Sequence, residues 1–244
     1  MTGLKNFINE DKQLQAIKND CSYFLNKYPR LTLYRGYKKL FTINKFMPRK
    51  DREPLNSNPI GSKSLDKASK KIFGWPCRSQ GTFTSPIYSE AKSYGLPYIF
   101  LPIGSSWKYI YAPGMSDSIE LTNDLENVIL YVHDTWKYIN VESMYKFEKF
   151  KKFLQLNRLN DEKLFKEIKS LYDMIDDENV SNTKIERKKK ELTKKILDGI
   201  TYAIMKNKYT DKNLNLVTNE EVIFNCQKDG FYLIDPDIYD PRLL

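Results

Sequence analysis

Arg35 closes a short hydrophobic run, "RLTLYRG", with Gly36 directly behind it. A guanidinium is a planar fork of donors suited to gripping phosphate. A glycine allows the backbone to turn sharply or approach another group closely. The pair reads either as a strand ending in a turn or as an anion site. Other chemistry is scarce. His133 is the only histidine, so a site needing two imidazoles is excluded. A Ser-His-Asp triad would have to use His133, in "YVHDTW", a stretch that reads as half-buried strand or loop. Cys21, Cys77 and Cys226 are widely spaced and odd in number, giving neither a disulfide framework nor a zinc pattern. No acidic cluster has metal-binding spacing, so no metal is expected. A catalyst made from this chain would work with carboxylates, hydroxyls and arginine.

The elements that must position such groups are legible in outline. Residues 10–28 carry apolar positions at helical spacing, Leu14, Ile17, Cys21, Phe24 and Leu25. "RLTLYRG" follows as a strand. "MPRKDREPLNSNPIGSKS", residues 47–64, is a polar, proline-rich loop leading to a short helix from Leu65 to Phe73. "GTFTS" (81–85) reads as a strand and "SEAKSYG" (89–95) as a helix begun by a serine cap and stopped by glycine. "PYIFLPIG" is apolar throughout and predicts a central, buried strand. After about Val141 the pattern becomes helical. One stripe is Phe147, Phe150 and Leu154; a second is Leu164, Phe165, Ile168, Leu171, Tyr172 and Ile175. A third is Ile185, Leu192, Ile196, Ile200 and Ile204. Strand signals return in "NEEVIFNC" and "GFYLID". A helical block over 141–208 therefore interrupts a β-containing chain.

Composition bounds the class. The 244 residues are 41% hydrophobic and carry a formal charge of +9. That supports a real core and a surface attractive to phosphate-rich partners. No apolar run reaches membrane-spanning length and the N-terminus has no signal-peptide core, so a soluble cytoplasmic protein is expected. More than half of the excess charge lies in 141–208, much of it in "KIERKKKELTKK". Its lysines Lys188, Lys189, Lys190, Lys194 and Lys195 form either a solvated face or a surface for nucleic acid or a protein partner.

Three segments in order carry a resemblance: "LYRG" (33–36), "GTFTSPIYSEAKSYG" (81–95) and "NEEVIF" (219–224). They resemble mono-ADP-ribosyltransferases of the arginine–serine–glutamate type. In that family a Tyr-Arg-Gly strand, a hydroxyl-rich strand leading into a helix, and a glutamate opening an apolar strand follow one another. The 49 residues from Arg35 to Thr84 suit the family. The C-terminal "NEEVIFNCQKDGFYLI" is also similar to proteins of large tailed phages, whose location would be the host cytoplasm. The likeness spans 31–112 and 209–234. It departs from the family where the middle motif reads Thr-Phe-Thr-Ser. It departs again in the 137 residues between Thr84 and Glu221, which the helical block explains as an insertion.

The resemblance implies an α/β (α+β) fold: one domain over 1–244 with a split, mainly antiparallel β core, an N-terminal helix and the inserted lobe at 141–208. It implies an NAD-dependent transferase that cleaves the nicotinamide–ribose bond and passes ADP-ribose to a macromolecular acceptor, a host protein or nucleic acid. Glu221 would be the catalytic carboxylate, facing the oxocarbenium-like ribose and holding its hydroxyl. Glu220 beside it would point to the opposite face, as strand alternation requires. Arg35 would bind the dinucleotide phosphates. Thr84 or Ser85 would hydrogen-bond Glu221 or the ribose. Gly36 would let backbone approach the nicotinamide amide, and Phe83 or Tyr94 would stack on the ring. Two other readings stand beside this one: a non-catalytic basic binding protein that keeps the fold, and an NAD glycohydrolase. Asn219, two before Glu221, matches neither acceptor-selecting residue of the family, so the acceptor is open, as is the oligomeric state.

Overall fold

The computed structural model describes residues 12–52, 59–115, 118–137, 143–175 and 180–237. The N-terminal residues 1–11 and the boundary placed at Val141 lie outside them. The chain divides into two compact units. The first takes residues 1–52, 79–117 and 209–244, and the second 53–78 and 118–208.

The first unit holds every strand of the fold described here. Residues 12–20 are helical (α1), and after a turn at Cys21 the chain continues as α2 (Ser22–Lys27). Then come β1 (Tyr34–Tyr37) and β2 (Ile43–Phe46), followed after the excursion into the second unit by β3 (Thr82–Thr84). Helix α5 (Tyr88–Ser93), β4 (Leu96–Pro102), β5 (Lys108–Tyr111), β6 (Val222–Asn225) and β7 (Phe231–Ile234) complete it. The strands form two antiparallel sheets, ordered β1-β4-β7-β2 and β3-β6-β5. The fold class is mixed α/β (α+β), with a split antiparallel core.

The continuous apolar run of β4 is explained by its place between β1 and β7, where all but its first residue is buried. An aromatic lattice joins the two sheets. Phe100 of β4 packs on Phe224 of β6 at 5.0 Å between centroids and on Phe231 of β7 at 5.1 Å. Phe24 of α2 and Trp107 close the cluster. Ring pairs of this kind add roughly 0.5–1.5 kcal/mol each to the area they bury. Between β1 and β3, Tyr34 and Ser85 exchange backbone hydrogen bonds of 2.7 and 2.9 Å. This isolated bridge stitches the first sheet to the second.

The second unit is helical: α3 (Pro59–Phe73), α4 (Cys77–Gln80, shared with the first unit at its end), α6 (Ser118–Lys137), α7 (Ser143–Leu156), α8 (Glu162–Ile175) and α9 (Asn182–Lys208). α9 packs against α3, α6 and α8. The three predicted stripes are its core. Phe147, Phe150 and Leu154 are buried on α7, Leu164, Phe165, Ile168, Leu171 and Tyr172 on α8, and Ile185, Leu192, Ile196 and Ile200 on α9. The unit is wider than the block expected over 141–208, because α3 and α6 belong to it. His133, expected in a strand or loop, lies on α6. The helix expected from Leu65 begins at Pro59, a residue tolerated in a first helical turn.

Candidate functional site

The residues singled out from sequence all lie in the first unit, around the stitched ends of β1, β3 and β6. Arg35 is half-buried on β1, and its Nη1 donates to the Phe83 carbonyl of β3 at 2.8 Å. Its Nε is buried with no hydrogen-bond partner. Burial, reinforced by the nearby Arg52 cation, lowers the guanidinium to about 10, with Glu221 acting in the opposite direction. At neutral pH it remains a cation. Its electrostatic coupling to Glu221 joins the first and third sequence motifs.

Arg52 was not anticipated. Its Nη1 donates to the Gly81 carbonyl at 3.3 Å, and its guanidinium lies 5.0 Å from the Phe83 ring centroid. Two like-charged guanidiniums are thus anchored to successive alternate carbonyls of one strand, Gly81 and Phe83. Like charges repel, and an anion between them relieves the repulsion. Local sequence carried only a weak sign of this, a cluster of basic residues in the proline-rich loop. Gln227, in the turn after β6, reaches the same segment by donating from Nε2 to the carbonyls of Arg49 (2.8 Å) and Gln80 (3.3 Å).

The two glutamates both precede β6 and meet different partners. Glu220 is 7% exposed and saturated with backbone donors. Its Oε1 accepts from the Gly114 N–H at 3.0 Å, and its Oε2 from the N–H groups of Thr218 (2.9 Å) and Asn219 (3.1 Å). Burial raises its pKa, but these N–H groups outweigh burial and hold it below the ordinary 4.5. Glu220 is a brace for the entry to β6. Glu221 is half-buried and near enough to Arg35 to favour its charged form.

The hydroxyls are engaged in other ways than the family likeness implied. Thr84 Oγ1 donates to the Val222 carbonyl at 2.9 Å, tying β3 to β6. Ser85 Oγ donates to Glu90 Oε2 at 2.5 Å and accepts from the Ile87 N–H at 3.0 Å. A hydroxyl has one proton, so in this arrangement neither donates to Glu221. Ser85 with Glu90 organises the start of α5, the task assigned from sequence to a serine cap at Ser89. Ser89 instead lies inside the helix, whose N-cap position is Ile87.

Gly36 also has a different neighbour from the expected nicotinamide amide. A Cβ there would lie 2.2 Å from the Ala91 carbonyl oxygen and 2.8 Å from Tyr94 Cβ. The protein's own helix α5 makes the close approach. Tyr94 ends that helix with 51% of its surface exposed. Phe83 has its ring under Arg52.

No family model, curated protein or solved structure matches the chain. Among the described residues, no group of three or more His, Cys, Asp or Glu side chains converges as a metal site. No described helix is long and apolar enough to cross a membrane. The site's own geometry therefore carries the functional reading.

Proposed function

We propose that the first unit is an NAD-dependent ADP-ribosyltransferase. The observation that carries the reading is the convergence of Arg35 and Glu221, 186 residues apart in the chain, across strands stitched together at β1, β3 and β6. The donor set fits a dinucleotide: Arg35 with its unpartnered buried Nε, and Arg52 beside it, suit a diphosphate. A carboxylate within electrostatic reach of a phosphate grip is what ribose chemistry needs. Glu221 faces the ribose, accepts a hydrogen bond from its hydroxyl and stabilises the cation that develops as the C1′–N bond breaks. The bonding pair leaves with nicotinamide, which departs neutral. The acceptor's nucleophilic atom then bonds to C1′ and loses its proton.

The competing reading is a binding protein of the same fold, and the commitment of Thr84 and Ser85 to Val222 and Glu90 favours it. NAD carrying label in its adenylate half decides between them. On incubation with cell extract, transferase activity releases nicotinamide and leaves label on macromolecules, and both disappear in Glu221→Gln. NAD binding without nicotinamide release by the unmodified protein leaves the binding reading.

A further inference from the structure

The second unit carries a half-open cavity of about 760 Å³ lined by α3, α6 and α9, within the range of small-molecule pockets. Six lysines and two carboxylates line it, leaving four positive charges in excess. The partners of these lysines decide what the charge can do. Lys67 is paired with Asp198, which Ser64 also bonds, and Lys189 with Glu186. Lys63, Lys190 and Lys194 have no ion-pair partner among the described residues. Two other lysines of the basic stretch are engaged elsewhere. Lys188 and Lys195 sit with Glu167 of α8 and Glu191. Helical spacing thus divides one charge run into a neutralised face and a cavity face.

The rest of the lining is apolar in character. Trp136 and Leu197 are both buried beside the lysine stems. Trp136 Nε1 already donates to Thr193 Oγ1 at 2.8 Å, and Thr193 donates to the Lys189 carbonyl at 2.9 Å. The indole is thereby fixed beneath the surface, and the ring that the cavity exposes to a ligand is that of His133. No arginine lines the cavity, so planar two-point recognition of a carboxylate is absent from it, whereas lysine point charges suit phosphate oxygens. A lone phosphate would leave most of the volume empty.

We propose that this cavity binds a free nucleotide carrying several phosphates, with the base against His133 and the lysine stems and the phosphates on Lys63, Lys190 and Lys194. The site is separate from Arg35 and independent of the transferase reading.

Calorimetric titration of the full chain tests it, in an Arg35→Ala background that removes the other anion site. The probes are ATP, adenosine, inorganic tripolyphosphate and a ten-nucleotide oligothymidylate. ATP is expected to bind more tightly than adenosine or tripolyphosphate, each of which supplies half of the recognition. Added salt should weaken ATP binding. Joint replacement Lys63→Gln, Lys190→Gln and Lys194→Gln should weaken it about tenfold or more, as lost charge-assisted bonds do. These lysines are exposed and have no ion pair to lose, so the melting temperature should stay unchanged. Three results would overturn the proposal: ATP binding unaffected by the triple replacement, tripolyphosphate binding as tightly as ATP, or oligothymidylate binding where ATP does not.

Discussion

Glu220→Gln separates the brace from the proposed catalyst. The side chain holds three backbone N–H groups on two oxygens, two of them on Oε2. A glutamine keeps one oxygen, best used on the Thr218 and Asn219 side, and turns an amide NH₂ toward the Gly114 N–H. One buried donor then loses its acceptor and meets another donor, a change worth about 1–3 kcal/mol. Taking the middle of that range, melting should fall by about 4–8 °C in a chain of this size. Thermal denaturation followed by circular dichroism measures the shift. Glu221→Gln, lacking this brace role, should melt close to the unmodified protein and yet lose nicotinamide release. The pH dependence follows the same carboxylate. Its pKa is depressed in the folded state, so its stabilisation is complete above 4.5 and is lost as pH falls through the folded value. Glu220→Gln should flatten that acid slope. An unchanged melting temperature in Glu220→Gln, or a large fall in Glu221→Gln, refutes the assignment of the two faces.

Arg35→Ala should remove the thermal shift produced by NAD, and Arg35→Lys should restore only part of it, because lysine lacks the planar fork. Gly36→Ala should destabilise the protein by about 1–3 kcal/mol in denaturant unfolding, since the Ala91 carbonyl occupies the space of the new methyl group. All three cysteines are buried and unpaired, and burial raises Cys21 and Cys77 to about 12 and Cys226 further. Ellman's reagent at neutral pH should therefore react slowly with the folded protein and promptly in guanidinium.

Much of the fold was legible because burial writes itself into pattern. β4 is continuously apolar as a strand between two others, and the stripes on α7, α8 and α9 are one-sided as helices around a shared core. His133 was misread because "VILYV" before it has strand propensity. The packing of α6 against α9, with Trp136 bonded to Thr193, outweighs that local preference. The alternation expected of Glu220 and Glu221 does not apply, because both residues precede β6. Arg52 was not legible, because its partners, the Gly81 carbonyl and the Phe83 ring, come some thirty residues later. The basic run of α9 looked like one surface; Glu167, on another helix, divides it.

The order of strands has a consequence for synthesis. β6 and β7 leave the ribosome after the other described strands, and each occupies the interior of its sheet. β2 pairs only with β7, and β5 has no strand partner but β6. Once residue 208 has emerged, every helix of the second unit exists and can pack. The first unit at that moment still has unpaired edges on β2, β3, β4 and β5, because β6, β7 and Glu221 before them are still inside the ribosome. A nascent chain stalled there would hold a formed lysine-lined cavity in its second unit while the sheets of the first are unfinished. The proposed Arg35–Glu221 chemistry would thus be silent until β6 has left the ribosome and paired, a delay built into the topology.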